Sequence, residues 1–256
     1  MKLVDLFESE DDFDFTTKDG IAEWLKANHN WDFYDIHDDL SVSVFDNVNI
    51  TVLGKDRSKI PVKFRKAYTF LTDVPLTTLE NFPDSAREII IQSAKIKNLQ
   101  DITQDAVAYS IQACKELESL DGFPQEVNGS IYINRCPITS LKGAPLRIDG
   151  DFSAVRCDLK SLRYGPREVT GLLDIRRNEL TSLKGCPEGV DYIDAGDNLI
   201  RNLIGIPESV REIYISRNPL ESLDGLHNGQ VIVQSVDANI SKEEKMKYPN
   251  ATIVTK

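Results

Sequence analysis

With 256 residues and an apolar fraction of 41%, the chain is long and apolar enough to bury a sizeable core. No stretch approaches the roughly 18 apolar residues of a membrane span, and the start lacks the basic end and apolar run of a secretion signal. We therefore expect a cytoplasmic protein with no membrane partner. The four cysteines are not closely spaced, which favours free thiols in a reducing compartment.

The net charge of −11 is concentrated at the N-terminus. Residues 1–47 carry 13 acidic and 3 basic side chains, which leaves 28 acidic and 27 basic side chains in the rest of the chain. The remaining surface is therefore nearly neutral, and we expect no nucleic-acid partner, because phosphate contacts require a basic face. We interpret residues 1–16 as an acidic tail.

The first predicted elements are a short helix and strands. The stretch TKDGIAEWLKAN places Ile21, Trp24 and Leu25 at helical spacing with Asn28 as a stop signal. The stretch LSVSVFDNVNITVL alternates polar and apolar residues as a strand does. Residues 17–56 are therefore predicted to form an N-terminal cap.

One acidic stretch within this cap resembles a cation site. In WDFYDIHDDL, His37 stands close to Asp35, Asp38 and Asp39, and these side chains could ligate a metal ion. The competing interpretation is a solvated acidic turn, which we favour. We predict no metal site and no cofactor.

Residues 57–226 repeat with a period of 20 or 21 residues. Each unit ends on a leucine, and two aligned apolar residues stand eight and ten positions before it, as on one face of a short strand. These leucines are Leu79, Leu99, Leu120, Leu141, Leu162, Leu183, Leu203 and Leu223.

A second column holds polar residues that are predicted to be buried. Five positions before the leucine stand Cys136, Cys157, Asn178, Asn198 and Asn218, and Cys114 fills the same place one residue early. A buried Asn amide can satisfy backbone groups where a strand ends and pass hydrogen bonds to the next coil, and Cys offers a similar shape with a weak donor. We interpret these six residues as a structural ladder.

The column pattern L-x-L-x-x-N/C-x-L resembles the leucine-rich-repeat signature. The return segments read G-x-P-x-x-V, which favours an extended path. We predict a leucine-rich-repeat solenoid, α/β by class, with mostly parallel β-strands on a concave face and extended convex segments. Residues 227–256 are predicted as a C-terminal cap of a short helix, with a Ser241/Glu244 capping box, and a last strand.

Cap and coils together resemble small leucine-rich-repeat proteins found in tailed-phage and bacterial genomes. The matches are AEWL, DDLSVSVFDNVNITV, KIPVKF, NELTSLKGCPEGV and ITSLKGAP, spread over about residues 20–240. The resemblance implies this architecture and a phage-encoded protein, and it implies no defined reaction. The coil around Cys114 departs from the pattern because it lacks the G-x-P return.

The expected binding surface is the concave face of the sheet. Arginine and tyrosine side chains point outwards there, and these residue types are enriched at interface hot spots. They are Arg135, Arg156, Arg176, Arg177, Arg217, Tyr132, Tyr192 and Tyr214. Two interpretations stay open together: pairing of the arginines with Asp151, Asp158, Asp174 and Asp194, and binding of an acidic protein surface or of the acidic tail.

The histidines are scattered and the cysteines belong to the ladder, so no catalytic arrangement emerges and we expect no enzyme. We predict a scaffold for protein–protein interaction that binds a host or phage protein in the host cytoplasm. The alternative is a packaged internal virion head protein. The first ten residues, MKLVDLFESE, resemble targeting peptides that a phage prohead protease trims, with Glu8 or Glu10 as the cut site. The sequence does not predict an oligomeric state.

Overall fold

The computed structural model describes residues 13–29, 34–44, 59–66, 69–72, 76–227, 231–235 and 240–254. These residues form two α-helices, α1 (Lys18–His29) and α2 (Lys242–Met246), and 16 β-strands. The strands are β1 (Tyr34–Ile36), β2 (Val42–Val44), β3 (Phe64–Lys66), β4 (Thr69–Thr72), β5 (Glu88–Gln92), β6 (Ala108–Gln112), β7 (Glu126–Val127), β8 (Ser130–Asn134), β9 (Arg147–Ile148), β10 (Phe152–Val155), β11 (Glu168–Val169), β12 (Leu173–Asp174), β13 (Tyr192–Asp194), β14 (Glu212–Tyr214), β15 (Ile232–Gln234) and β16 (Thr252–Val254).

Ten of these strands form one parallel sheet, the main sheet. Its order is β4, β5, β6, β8, β10, β12, β13, β14, β15 and β16, which follows the chain apart from β7, β9 and β11. Each coil of the chain therefore adds one strand beside the previous one. The prediction of a solenoid of parallel strands is confirmed.

The core runs along the inside of the main sheet. Ile131, Phe152 and Leu173 are neighbours across three strands, and each is at most 1% exposed. The eight repeat leucines, from Leu79 to Leu223, are all buried as well. Burying such a side chain is worth about 1.5–3 kcal/mol, and here the cover comes from the adjacent coils, so each coil depends on its neighbours.

The return segments carry a second, smaller sheet. Strands β7, β9 and β11 pair in parallel, and a bridge between Glu168 and Glu188 extends the pattern by one coil. Val127, Ile148 and Val169 point into the core from this side. The extended return path that the Pro and Gly pattern predicts is therefore partly hydrogen-bonded as strand.

The turn after each repeat leucine takes a left-handed backbone. Gly122, Gly143, Gly185, Gly205 and Gly225 have φ between 87 and 119° in this turn. A Cβ atom at Gly143 would lie 2.3 Å from the backbone nitrogen of residue 121 in the preceding coil, so the turn also needs a close backbone approach.

Tyr164 takes the place of the glycine in the turn after Leu162. Its φ is 65°, and its side chain is 69% exposed. The guanidinium of Arg163 lies 5.5 Å from the centre of its ring. A left-handed backbone costs a residue with a Cβ roughly 1–2 kcal/mol, so this coil carries strain that the glycine-containing coils avoid.

The coil that contains Cys114 accommodates its extra residue in a turn. The backbone N–H of Leu117 donates to the carbonyl of Cys114 at 3.2 Å, which closes this turn. Strand β6 pairs over five residues with both β5 and β8. The irregular sequence therefore does not interrupt the pairing of the main sheet.

At the N-terminal end, α1 packs Ile21, Trp24 and Leu25 into the core, each at most 1% exposed. Strand β1 pairs antiparallel with β2, and β2 pairs parallel with β3. The strand predicted over LSVSVFDNVNITVL begins as β2, and its part beyond Val44 lies outside the described residues.

At the C-terminal end, α2 and β16 follow the last coil. Ser241 is the N-cap of α2, and its Oγ accepts from the Glu244 backbone N–H at 3.1 Å. The predicted capping box is only half formed, because the Glu244 carboxylate accepts from the backbone N–H of Leu223 at 2.9 Å instead. In the coil ending at Leu203 the equivalent N–H donates to the carbonyl of Asp224 in the next coil. The Glu244 carboxylate thus takes the place of the turn carbonyl that accepts this bond in the preceding coil.

Neither helix of the described ranges is long and apolar enough to cross a membrane.

Candidate functional site

The ladder asparagines link successive coils. The Asn198 side-chain oxygen accepts from the backbone N–H of Leu180 in the preceding coil at 3.0 Å. Its amide nitrogen donates to the carbonyls of Ile175, Ala195 and Gly196 at 2.9, 3.1 and 3.3 Å. Asn178 and Asn218 repeat this arrangement one coil earlier and one coil later. These amides hold the strand ends in register.

The ladder cysteines make only the donor half of this pattern. The Cys157 thiol donates to the carbonyls of Ile133 and Val155, each at 3.4 Å. An Asn at position 157 would accept from the backbone N–H of Ile138 in the preceding coil. With Cys157 there, the Ile138 N–H donates instead to the carbonyl of Cys136 at 2.7 Å. Cys114 also bonds locally, to the carbonyl of Gln112 at 3.5 Å. A thiol is a weak acceptor, which explains the difference.

The pKa values of the Cys136 and Cys157 thiols are raised, whereas the hydrogen bond with Cys136 lowers the pKa of Cys114. All four cysteines are free, and Cys114, Cys136 and Cys157 are fully buried. Burial raises the pKa of the Cys157 thiol to about 11, and the hydrogen bond with Cys114 together with burial raises the pKa of Cys136. Neutral buried thiols are poor nucleophiles and poor metal ligands.

A row of left-handed residues runs along the strand ends, immediately before the ladder. Its φ angles lie between 53 and 58°, and the members are Ser93, Ala113, Arg135, Arg156, Arg177, Asp197 and Arg217. The N–H groups of Arg135, Arg156 and Arg177 donate to the next coil at 3.0, 3.2 and 3.0 Å. This backbone conformation is uncommon for residues with a side chain, and here the continued hydrogen bonding to the next coil supports it.

Three of the five predicted arginines are paired with carboxylates. Arg176 bonds to Asp174 at 2.7 Å and lies 3.2 Å from Asp194, and the side chains of these two aspartates are 13% and 15% exposed. The bond to Asp174 raises the pKa of Arg176. Arg177 and Arg217 lie on either side of Asp197, at 3.7 and 3.1 Å.

Arg135 and Arg156 are different. Both are exposed, and neither side chain forms an ion pair or a hydrogen bond with any residue that the structure describes. Of the predicted acidic partners, Asp151 accepts instead from the Tyr132 hydroxyl at 3.1 Å and from a backbone N–H. Among the described residues, these two arginines therefore do not form the predicted pairs with Asp151, Asp158, Asp174 or Asp194.

Arg135, Arg156 and Arg177 line one cavity of about 370 Å³, which we call the arginine pocket. We call the outward surface of the main sheet, which we predicted to be concave, the sheet face. The arginine pocket lies on this face, where the strands end. Among the residues that the structure describes, no carboxylate side chain lines it. The remaining lining residues are Gln92, Gln112, Ala113, Asn134 and Val155.

The sequence analysis did not identify the glutamine and asparagine side chains that line this pocket. Gln92, Gln112, Asn134 and Val155 are aligned across β5, β6, β8 and β10. Gln92 and Asn134 both stand seven positions before a repeat leucine, and Gln112 stands eight positions before one because of the inserted residue. Aligning that column would have revealed the row.

The tyrosines do not form one cluster. Tyr132 and Tyr214 share a row of the sheet face but are separated by β10, β12 and β13. Tyr192 belongs to another row, beside Glu212. Burial raises the pKa of Tyr192. The structure thus brings together arginines and amides but leaves the tyrosines apart.

Three side chains of the acidic stretch around His37 form local hydrogen bonds or ion pairs. His37 Nε2 lies 2.8 Å from the hydroxyl of Ser43. Asp39 accepts from Ser41 at 2.6 Å and from Arg65 at 2.6 Å, and these bonds lower the pKa of Asp39. Asp38 pairs with a lysine of α1. Within the described ranges no group of three His, Cys, Asp or Glu side chains is placed to hold a metal ion.

A second cavity of about 600 Å³ lies among the turns of the first coils. Both signs of charge line it, with Lys63, Glu80, Asp84 and Asp101, and Lys63 pairs with Asp84 at 3.1 Å. The arginine pocket is therefore the stronger candidate, because its lining charges share one sign.

Comparison with known proteins found no match: no family model, no curated protein and no solved structure is similar to this chain. The candidate site therefore rests on the geometry of the chain itself.

Proposed function

We propose that this protein is a non-enzymatic scaffold that binds a protein partner through the sheet face. The observation that carries the proposal is the pair of exposed arginines, Arg135 and Arg156, that no described carboxylate neutralises. Arginine side chains on adjacent strands, about 5 Å apart, repel each other by somewhat under 1 kcal/mol in water. An acidic group on a partner would relieve this repulsion.

The repeat geometry supports a leucine-rich-repeat scaffold in particular. A period of 20–21 residues, buried leucines and an Asn/Cys ladder that bonds to the neighbouring coil are the features of that class. In this proposal α1 and its strands, and α2 with β16, act as caps that cover the ends of the core. A rigid sheet bearing fixed side chains is suited to recognition, because little conformational entropy is lost on binding.

The described residues favour binding over catalysis. Cys136 and Cys157 are buried, and the pKa of each thiol is raised, which favours the neutral form. His37 and His227 lie at opposite ends of the solenoid, and His227 Nε2 is 3.2 Å from a backbone carbonyl. We propose a host or phage protein in the host cytoplasm as the partner. The alternative role of a packaged head protein stays a prediction, since its cut sites lie outside the described residues.

Affinity capture of interacting proteins, identified by mass spectrometry and then purified for a direct binding measurement, tests the proposal. The variant Arg156→Glu/Arg177→Glu reverses two charges on the sheet face, and we expect it to lose the partner. Arg163→Glu/Arg167→Glu is the matched control, with the same charge change in the turn and return segment. Circular dichroism checks that both variants fold. Unchanged binding by the sheet-face variant would refute the assignment.

A further inference from the structure

The chemistry of the arginine pocket indicates more than a general preference for acidic surfaces. Arg135, Arg156 and Arg177 project from adjacent coils, where strands are spaced about 4.8 Å apart. One compact anion can therefore contact two or three guanidinium groups at once. The nearest carboxylate contact of the three is that between Arg177 and Asp197, and it is long, at 3.7 Å.

The number of donors exceeds what one carboxylate can accept. Each guanidinium carries five N–H donors, and a carboxylate has two oxygens and one negative charge. Gln92 and Asn134 add amide groups that form no hydrogen bond with any described residue. A phosphoryl group offers three strong acceptor oxygens and a charge between −1.5 and −2, and arginine binds it in bidentate fashion. The donor set therefore matches a phosphoryl group better than a carboxylate.

The surroundings of the pocket select a single phosphoryl group over a polyanion. On the next strands of the sheet face, Asp174 and Asp194 continue the row of Tyr132 and Ser153, and Asp197 follows Arg177 in the left-handed row. Asp174 and Asp194 are aligned across β12 and β13, and among the described residues only Arg176 forms ion pairs with them. A nucleic-acid strand or a run of acidic residues that continued along the sheet would meet these carboxylates and be repelled.

We propose that the arginine pocket binds one phosphoryl group carried by the protein partner, that is, a phosphorylated Ser, Thr or Tyr side chain. This inference rests on the proposed function, because it specifies what the sheet face recognises. Arg135 and Arg156 supply the principal contacts, Arg177 adds a third guanidinium, and the row of Gln92, Gln112 and Asn134 forms the floor.

The left-handed backbone makes a clean test possible. At φ of 56° and 55°, Arg135 and Arg156 occupy a conformation that glycine adopts without strain. Arg135→Gly/Arg156→Gly therefore removes both guanidinium groups while relieving strain, so we expect a melting temperature no lower than that of the unmodified protein. Arg163→Ala/Arg167→Ala is the matched control, because it also removes two exposed guanidinium groups and both residues lie outside the pocket lining.

The probes are degenerate peptide libraries with a fixed central phosphoserine, phosphothreonine or phosphotyrosine, measured by fluorescence polarisation with the full-length protein. The comparison arms are the same libraries without phosphate, the libraries with central Glu, and a single-stranded oligonucleotide. We expect binding of at least one phosphorylated library and competition by inorganic phosphate. Arg135→Gly/Arg156→Gly should weaken it about 10- to 150-fold, as expected for a lost charge-assisted hydrogen bond, and Arg163→Ala/Arg167→Ala should leave it within about twofold.

Three results would overturn the inference: no phosphorylated library binds, a Glu or unphosphorylated library binds equally well, or the oligonucleotide binds more tightly than every peptide library. Phosphatase treatment of the captured partner separates this inference from the proposed function. If the dephosphorylated partner still binds and Arg156→Glu/Arg177→Glu abolishes that binding, the scaffold proposal stands and the phosphoryl inference falls.

Discussion

Removal of the Asn198 side chain tests how the ladder stabilises the solenoid. In Asn198→Ala the three carbonyls lose one donor each, but Ile175 retains Asn178 and Ala195 retains Asn218. The Gly196 carbonyl likewise retains a backbone N–H of the preceding coil. The Leu180 N–H, by contrast, has Asn198 as its one acceptor among the described residues. The penalty is therefore concentrated in one buried donor.

An unsatisfied buried donor costs about 1–3 kcal/mol, and the lost hydrogen bonds to the carbonyls add about 1 kcal/mol. We expect Asn198→Ala to lower the free energy of unfolding by about 2–4 kcal/mol in urea denaturation followed by circular dichroism. Asn98 is exposed and its side-chain oxygen accepts from the backbone N–H two residues later, so Asn98→Ala serves as the control.

Two further substitutions at position 198 separate the donor and acceptor roles. Asn198→Cys keeps a donor, as at the natural cysteine positions, and should cost less than Asn198→Ala. Asn198→Asp keeps the acceptor but directs a buried negative charge at three carbonyls, so it should cost more than Ala at pH 7 and less in acid, where a protonated carboxyl donates. If Asn198→Ala lowers the free energy of unfolding by an amount within about 0.5 kcal/mol of the control, the reasoning is refuted, because a buried donor without an acceptor costs more than that.

Three other predictions follow from strained or paired groups. Tyr164→Gly should raise the unfolding free energy by about 0.5–1 kcal/mol in urea denaturation, because glycine removes the left-handed strain; a decrease would contradict this. Glu244→Ala should lower the free energy of unfolding by about 1–3 kcal/mol at pH 7, because the buried Leu223 N–H loses its acceptor. The hydrogen bonds of the Glu244 carboxylate lower its pKa below 4.5 in the folded protein. Its stabilising contribution is therefore full above pH 4.5 and is lost as the pH falls through the pKa of the folded state, so the variant and the unmodified protein should differ less in unfolding free energy near pH 3. Arg176→Met should lower the free energy of unfolding by about 2 kcal/mol at pH 7. Burial raises the pKa of Asp194, so this carboxylate is protonated in the folded protein at a higher pH than in the unfolded chain, and the loss of stability should become smaller in acid. A loss that does not change with pH would argue against unpaired carboxylates as its cause.

The winding of the chain was predictable because it depends on periodicity. Burial of one leucine every 20–21 residues and alternation around Ile131, Phe152 and Leu173 are properties of residue order, and only parallel coils satisfy them. The place of Asn198 was predictable for the same reason, although its four partners were not. A hydrogen bond to Leu180 depends on the backbone geometry of two coils at once.

The charges of the sheet face could not be assigned from sequence. Arg176 and Arg177 are adjacent in the chain, yet one pairs with Asp174 and Asp194 and the other lines the arginine pocket. The left-handed turn at the strand end causes this divergence, because it directs consecutive side chains differently. The capping box at Glu244 was only half predicted, since its carboxylate bonds to a residue 21 positions earlier.

The amino-acid sequence alone determined that this chain winds into stacked coils, because hydrophobic burial and the Asn/Cys column are encoded in a fixed period. Only the tertiary structure decided which arginines remain without a carboxylate, because ion pairing depends on distances of a few ångströms between side chains of different coils. The period sets which residues face outwards, and the three-dimensional arrangement sets which of them are left to bind a partner.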